Sequence, residues 1–483
     1  TFYYFAINRV CGQRMQTSKM SPNNSKKYPQ YLASIAVSLG AMGTGTVFGW
    51  TGNISQELQS GELNGIVMDA VDMGWVGSIC NLGGMVVCFP IGILCDVVGR
   101  KFATLLLTAP FLLGWLLIIF ARNLAMVLIG RFLVGMAGEA FCIAAPLYTT
   151  EIAEKEIRGT LGSFFQLFVT FGVMLSYILG YAVSVRVFTI VVALLPVIFC
   201  VAFAFQPETP LYRLKREDYC GAEDSFKWLR GREYDATCEI RQFKATLDAR
   251  DNNVTTWASL TKRSTKVAAV VSFSLMFLRQ AGGSLAVIFY TSNIFKDSGS
   301  NLDPKEATMI VGAIQIVATL ASSSVVDKLG RRILLMVSSF FMAIGLIILG
   351  AFFSIKHRNL VDEETIEKFG FLPVLGLCLY IIVYALGLGP VPWVVTAELF
   401  PPEIKGVAIA GAATFNWLIA FIITKFYGDM SANLGGDVTF YIFAGICLLG
   451  AIFVFFVVPE TKGKSLIQIQ RELNKQPPNK IGF

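Results

Sequence analysis

Carboxylates and guanidinium groups recur in this chain at fixed spacing, and the whole pattern occurs twice. Asp96-Val-Val-Gly99-Arg100-Lys101 returns as Asp327-Lys-Leu-Gly330-Arg331-Arg332. Glu151 with Arg158-Gly159 returns as Glu398 with Lys405-Gly406, and Pro207-Glu208-Thr209-Pro210 returns as Pro459-Glu460-Thr461-Lys462. Acids and bases so placed can pair, each pair worth roughly 0 to 1 kcal/mol near a protein surface. A set of such pairs biases a conformational equilibrium without freezing it. That is the chemistry of a gate. The spacing predicts pairs between two duplicated halves, formed when their ends meet on one side of a membrane and separated when that side opens. Three signatures in the same order are the mark of internal duplication, a common feature of transporters.

Two charges stand apart inside apolar sequence: Glu139 in Gly138-Glu139-Ala140 and Arg279 in Arg279-Gln280-Ala281. Ionisable groups within membrane spans are rare and functional by default. Glu139 lies about 10 residues from one end of its apolar run and Arg279 about 12 residues into its own, roughly 15 Å and 18 Å deep at 1.5 Å per residue. The depths match, so the two charges are expected to compensate each other, directly or through water or cargo, in some state of the molecule. The only histidine, His357, falls in a loop, which leaves no histidine-based metal site or catalytic dyad to expect. No nucleotide-binding signature occurs either, so the reading carries no cofactor, no ATP-driven pump and no enzyme activity.

The elements that must hold these residues are membrane helices. The 483 residues are 54% hydrophobic and 15% charged, with 39 Phe and a mean hydropathy of +0.61. This is too apolar for a soluble enzyme, a nucleic-acid binder or a secreted disulfide scaffold. Apolar runs of about the length that crosses a bilayer fall near 32–53, 73–95, 103–121, 124–149, 160–184 and 187–206, then near 267–294, 307–326, 333–354, 372–396, 407–428 and 438–458. These predict an all-α membrane protein of twelve transmembrane helices in two pseudo-symmetric six-helix bundles. The expected organisation is an N-terminal tail (1–30), a first bundle (31–206), a charged linker of short helices (207–265), a second bundle (266–458) and a C-terminal tail (459–483). Residues 1–50 carry Arg9, Arg14, Lys19, Lys26 and Lys27 and no acid. The positive-inside rule therefore places both termini, Arg100-Lys101 and Arg331-Arg332 in the cytoplasm of a multi-pass protein, with the plasma membrane as the expected destination. Asn53-Ile-Ser55 is a glycosylation sequon on the outer side, and Asn253-Val-Thr255 falls in the cytoplasmic linker.

These motifs, with Gly130-Arg131-Phe132, Pro146-Leu147-Tyr148, Gly389-Pro390-Val391-Pro392-Trp393, Ala397-Glu398-Leu399-Phe400 and Asn416-Trp417, resemble the sugar porter branch of the major facilitator superfamily, closest to its facilitated trehalose transporter-like members. The resemblance runs from about Tyr31 to Lys475. It implies a central cavity that binds sugar through Gln166, Gln280 and Asn416, with Trp393 as aromatic face and Tyr290 as an outer lid. It also implies a small-molecule cargo, a lipid surround and no nucleic acid, and it leaves the oligomeric state open. Gly387, Gly389, Pro390 and Pro392 predict a bend beside Trp393.

The chain departs from the family at particular positions. Leu211 stands where relatives often have Arg, Ala385 where many hexose carriers have Glu, and Arg279-Gln280-Ala281-Gly282-Gly283-Ser284-Leu285 replaces Gln-Gln-Leu-Ser-Gly-Ile-Asn. Each lost amide removes about 0.5 to 1.5 kcal/mol of hydrogen bonding to a sugar hydroxyl, which counts against hexose and trehalose. Phe48-Gly49-Trp50-Thr51 lacks the Asp that proton symporters of the family place opposite Arg131, which favours facilitated uniport. Two rivals stand beside a sugar carrier: a carrier of an anionic organic solute, with Arg279 as counter-charge, and a non-transporting solute sensor.

Overall fold

The computed structural model describes residues 25–154, 156–237, 239–241, 262–298, 303–358, 362, 369–401, 404–464 and 466–474. The Asn253 sequon lies outside them. The first bundle is built from α1 (Tyr28–Gln59), α2 (Ala70–Val98), α3 (Arg100–Leu106) continued after Leu107 by α4 (Thr108–Ile119), α5 (Leu124–Ile152), α6 (Arg158–Ala182) and α7 (Val185–Ala204). Two short helices of the linker follow, α8 (Pro210–Lys215) and α9 (Tyr219–Arg230). The second bundle comprises α10 (Arg263–Ala281), α11 (Ser284–Phe289), α12 (Thr291–Ser298), α13 (Pro304–Leu329), α14 (Arg331–His357), α15 (Leu372–Leu386), α16 (Val391–Leu399), α17 (Lys405–Leu434) and α18 (Gly436–Val457), with α19 (Leu466–Leu473) after it.

Eleven spans among the described residues are long and apolar enough to cross a bilayer. The 26-residue α13 takes the place of the remaining one. Local signals set the ends: an Asp69–Asp72 capping box starts α2, Asn123 Oδ1 accepts from Met126 N at 3.0 Å at the start of α5, and Asp303 with Pro304 starts α13. The bend expected in span ten is there, between α15 and α16. Span seven is broken as well, at Gly282-Gly283, which the periodicity alone had not indicated. Outward faces are apolar, with Val201, Phe205, Phe340, Leu449 and Phe456 exposed, as lipid contact requires.

The two bundles meet along a seam: α2 packs on α17, α6 on α13, and α1 on α11 and α12. One end of the molecule carries the linker and the first described residues and is here the linker side; the other is the far side. Nearly all placed hydrogen bonds between the halves lie at mid-depth or on the far side. Gly52 of α1 lies so close to the second bundle that a Cβ there would sit 2.4 Å from the Ile288 carbonyl oxygen.

Candidate functional site

On the linker side, the repeated motifs close into two equivalent knots. Arg100, 2% exposed, donates from Nε to Glu151 Oε1 at 3.0 Å, pairs with Asp96 Oδ1 at 3.0 Å and donates from Nη1 to the Cys95 carbonyl at 3.1 Å. Thr209 Oγ1 donates to Glu151 Oε2 at 2.6 Å, and Lys215 pairs with Asp96 at 3.2 Å. Glu208 accepts the backbone N–H of Arg100 at 3.1 Å, Lys101 at 3.0 Å and Thr209 at 2.8 Å, so its carboxylate caps α3.

The second half repeats this geometry. Arg331 Nη2 pairs with Glu398 Oε1 at 3.1 Å, and Glu460 accepts from Arg331 N at 3.0 Å and Arg332 N at 3.1 Å. The paired glycines follow from the caps. Gly99 (φ +105°) and Gly330 (φ +91°) adopt backbone that side chains rarely take, and a Cβ would lie 2.3 Å and 2.8 Å from the Glu208 and Glu460 Oε2 atoms.

The pairs expected between the halves belong to a conformation closed on the linker side, whereas this one is bonded shut on the far side. The placed pairs run within each half, because Asp96 and Arg100 flank one break and Glu151 and Glu208 converge on it from the ends of α5 and α7. Arg158 is exposed and donates to the Ala153 carbonyl at 3.2 Å; Lys405 is also exposed. The Asp327 side chain lies outside the described set. Burial, the largest influence, pushes the Glu208 carboxyl above the usual carboxylate range despite the N–H groups it accepts. On Glu460 desolvation also pushes upward most strongly, yet the N–H groups of Lys462, Arg331, Arg332 and Thr461 together hold it below that range.

At mid-depth, four of the residues singled out in the sequence come together in the second bundle. Asn416, fully buried, accepts at Oδ1 from Gln280 Nε2 at 3.1 Å and from Arg279 Nη1 at 3.0 Å. Arg279 Nε donates to the Gly389 carbonyl at 3.1 Å, a group freed by the break between α15 and α16, and the guanidinium lies 5.6 Å from the Trp393 ring centre. Ser284 Oγ donates to Gln280 Oε1 at 3.1 Å.

Gln166 and Tyr290 stand apart from this group. Gln166 is exposed, one turn before Thr170, whose hydroxyl meets Thr319 of the other half at 3.3 Å. Tyr290 is buried, stacked on Tyr427 at 4.7 Å, with its hydroxyl donating to the Thr424 carbonyl at 3.4 Å.

Glu139 and Arg279 do not form an ion pair in this conformation. Glu139 is 2% exposed and hydrogen-bonded to Cys142 of its own helix, and its Oε2 has no partner among the described residues. Arg131, fully buried, directs Nε to the Val76 carbonyl at 3.1 Å, Nη1 to the Val47 carbonyl at 3.0 Å and Nη2 to Thr51 Oγ1 at 2.9 Å. Thr51 thus supplies a neutral hydroxyl, not a carboxylate, to Arg131.

Sequence reasoning missed the far-side seal. Lys305 of α13 forms an ion pair with Glu57 of α1 and donates to the Gly180 carbonyl at 3.0 Å. Thr308 Oγ1 donates to Asn53 Oδ1 at 3.2 Å, and Asn53 Nδ2 donates to the Tyr177 carbonyl at 2.8 Å. Asn81 Nδ2 donates to Thr424 Oγ1 at 3.0 Å, and Lys425 lies 4.8 Å from the centre of the Trp75 ring. Asn53 is only 1% exposed, so in this conformation its sequon is closed to a glycan. The available signal was positional: Glu57 and Lys305 sit where span one ends and span eight begins, outside the apolar runs.

The comparisons with known proteins agree with this geometry. The family described as Sugar (and other) transporter matches residues 12–473. The facilitated trehalose transporter Tret1 of Polypedilum vanderplanki is 36% identical over 451 residues, which cover 92% of this chain and 88% of that protein. Its counterpart in Culex quinquefasciatus is 34% identical over 448 residues, with 92% and 86% covered. The solved inward open conformation of the xylose transporter XylE from E. coli aligns with a TM-score of 0.76 at 21% identity, covering 91% of this chain and 98% of that one. Repeated motifs, duplicated bundles and full-length relatives lead to one assignment: this chain belongs to the sugar transporter family, with the sugar porter architecture of the major facilitator superfamily.

Proposed function

We propose that the chain is a facilitative carrier that moves a sugar or similar polyhydroxylated solute down its gradient by alternating access, and that it catalyses no reaction. The carrying observation is a polar site at mid-depth, Arg279, Gln280, Asn416 and Trp393, lying beside a seam that is bonded shut on the far side. Sugars need donors, acceptors and an aromatic face, and this group offers all three; exposed Gln166 adds an amide on the linker side of the seam. The family relatives named as facilitated trehalose transporters support the same reading. The two bundles, 31–206 and 266–458, rock as bodies, each braced by its own Arg100 or Arg331 knot.

Transport without a proton is supported at Arg131, whose placed partners are backbone carbonyls, the Thr51 hydroxyl and the Cys80 thiol at 3.5 Å. Positive charge on the linker side supports an orientation with both termini in the cytoplasm, and the plasma membrane is the proposed destination. The test is uptake into proteoliposomes of a labelled panel of trehalose, glucose, polyols and sugar acids. At least one is expected to equilibrate, and Gln280→Ala should slow it about tenfold because the site loses an amide and Asn416 and Ser284 each lose one of two partners. No flux of any member would overturn the reading in favour of a sensor.

A further inference from the structure

The Arg279 guanidinium is half-buried at mid-depth and anchored by neutral groups, with the Glu139 carboxyl near enough to feel its charge but beyond ion-pair distance. Nε and Nη1 go to the Gly389 carbonyl and Asn416 Oδ1, while the rings of Trp393 and Tyr384 flank it at 5.6 Å and 5.9 Å. Nη2 has no hydrogen-bond partner, and no carboxylate comes within ion-pair distance of the group among the described residues. The acid across the seam, Glu139, is bonded to Cys142 instead, and its side chain packs where Gly84 leaves room. Beside Nη1 lies a second unspent donor: Asn416 Nδ2, fully buried, has no partner among the described residues. Membrane interiors disfavour an uncompensated charge, and a buried amide N–H without an acceptor is costly. Both deficits are relieved by the same thing, an anionic oxygen group arriving between Nη2 and Nδ2.

The charge count limits what that group is. The three placed hydrogen bonds of Arg131 to oxygen, with Cys80 at 3.5 Å, occupy each of its nitrogens, and Lys425 lies against Trp75 in the far-side seal. Arg279 is therefore the cation with a guanidinium nitrogen left unbonded at the mid-depth site among the described residues, enough for one negative charge and too little for a phosphate monoester, which carries about 1.5 to 2. Trp393 and Gln280 remain for a hydroxylated ring. We infer that the cargo is a sugar monocarboxylate of the uronate or aldonate type, its carboxylate received by Arg279 Nη2 and Asn416 Nδ2. This rests on the sugar-carrier reading above and narrows it.

The test uses purified full-length protein in proteoliposomes with labelled D-glucuronate, glucose, trehalose, glucose 6-phosphate and lactate, and the variants Arg279→Gln and Arg279→Lys checked for monodispersity. Glucuronate is expected to enter, gluconate to compete with it, and glucose 6-phosphate to be excluded. Arg279→Gln should lower glucuronate entry tenfold or more, with Arg279→Lys, which keeps the charge but not the two anchoring bonds, lowering it measurably less. Flux of glucose or trehalose without glucuronate overturns the inference and leaves the sugar reading standing. Preference for glucose 6-phosphate overturns the charge count and the inference with it. Lactate carried as well as glucuronate, with no competition by any sugar, overturns both readings. Equal loss in monodisperse Arg279→Gln and Arg279→Lys proteins also overturns the inference, since charge would then not be what the site reads.

Discussion

Replacing Lys305 by Met should open the far side of the molecule. Its ammonium joins α13 to two helices of the other half, through Glu57 of α1 and the Gly180 carbonyl at the end of α6. The side chains of Lys305 and Glu57 are 29% and 16% exposed, so solvent screens the pair. A pair of this kind is worth about 1 kcal/mol at most, and the bond to Gly180 adds up to about 1 kcal/mol. The loss of roughly 1 to 2 kcal/mol falls only on the state closed at the far side, because Lys305 belongs to one half and both its partners to the other. At about 1.4 kcal/mol per factor of ten, the open population should rise between about 5- and 30-fold. The assay is modification of a cysteine placed at Ser292, which is 2% exposed just inside the seal, by an impermeant thiol reagent applied from the far side. Lys305→Met and Glu57→Gln should each accelerate labelling, and the double variant should label little faster than either. Unchanged or slower labelling would refute the assignment of this pair as a seal.

Three further outcomes follow from the geometry. Gly99→Ala forces a side chain into a backbone region costing of order 1 to 3 kcal/mol and pushes on the Glu208 carboxylate, so thermal unfolding of the purified protein should shift down by several degrees, and less for Gly330→Ala, where the contact is longer (2.8 Å against 2.3 Å); equal, negligible shifts would remove the cap explanation. Acidification should act oppositely at the two caps: Glu460, held low, contributes stability that is complete above its unfolded value and is lost as pH falls through its lowered folded value, whereas Glu208, pushed up by burial, contributes below its unfolded value and loses that as pH rises through its folded one. Thermal scans should therefore separate the variants on either side of the ordinary Glu value of about 4.3, Glu460→Gln changing the slope below it and Glu208→Gln changing it in the opposite sense above it. Finally, if Glu139 and Arg279 compensate each other in another state, Glu139→Gln and Arg279→Gln should each lower surface expression and the double variant should recover it; additive losses would separate them.

The spans, the duplication and the bend beside Trp393 were legible because each is written locally, in apolar runs, repeated motifs and the Gly387 to Pro392 cluster. The partners of Arg100 were legible as types but not as places. Spacing along a helix cannot reveal that Glu151 and Glu208 arrive from two other helices of the same half, so the bracing within each half was not readable beside the pairs expected across the seam. Glu139 and Arg279 illustrate the same limit: equal depth was readable, but Cys142 and Asn416 had already taken those side chains in the conformation seen. The far-side seal was invisible because Lys305 and Glu57 are single charges at helix ends, indistinguishable in sequence from ordinary solvated termini. Tyr290 was expected as a lid and is buried in that seal, held to Thr424 and Tyr427, a placement that accords with the proposed role without testing it.

The central claim is that one site at mid-depth is exposed alternately to the two sides. Counterflow tests it most directly: proteoliposomes preloaded with the unlabelled form of the best-carried sugar or sugar acid are diluted into a trace of the labelled form, with and without an imposed pH gradient. The account predicts that label transiently accumulates above equilibrium, with the same overshoot whether or not the gradient is present. Label that only equilibrates would mean a pore or passive leak, and accumulation that appears only with the pH gradient would contradict facilitated transport.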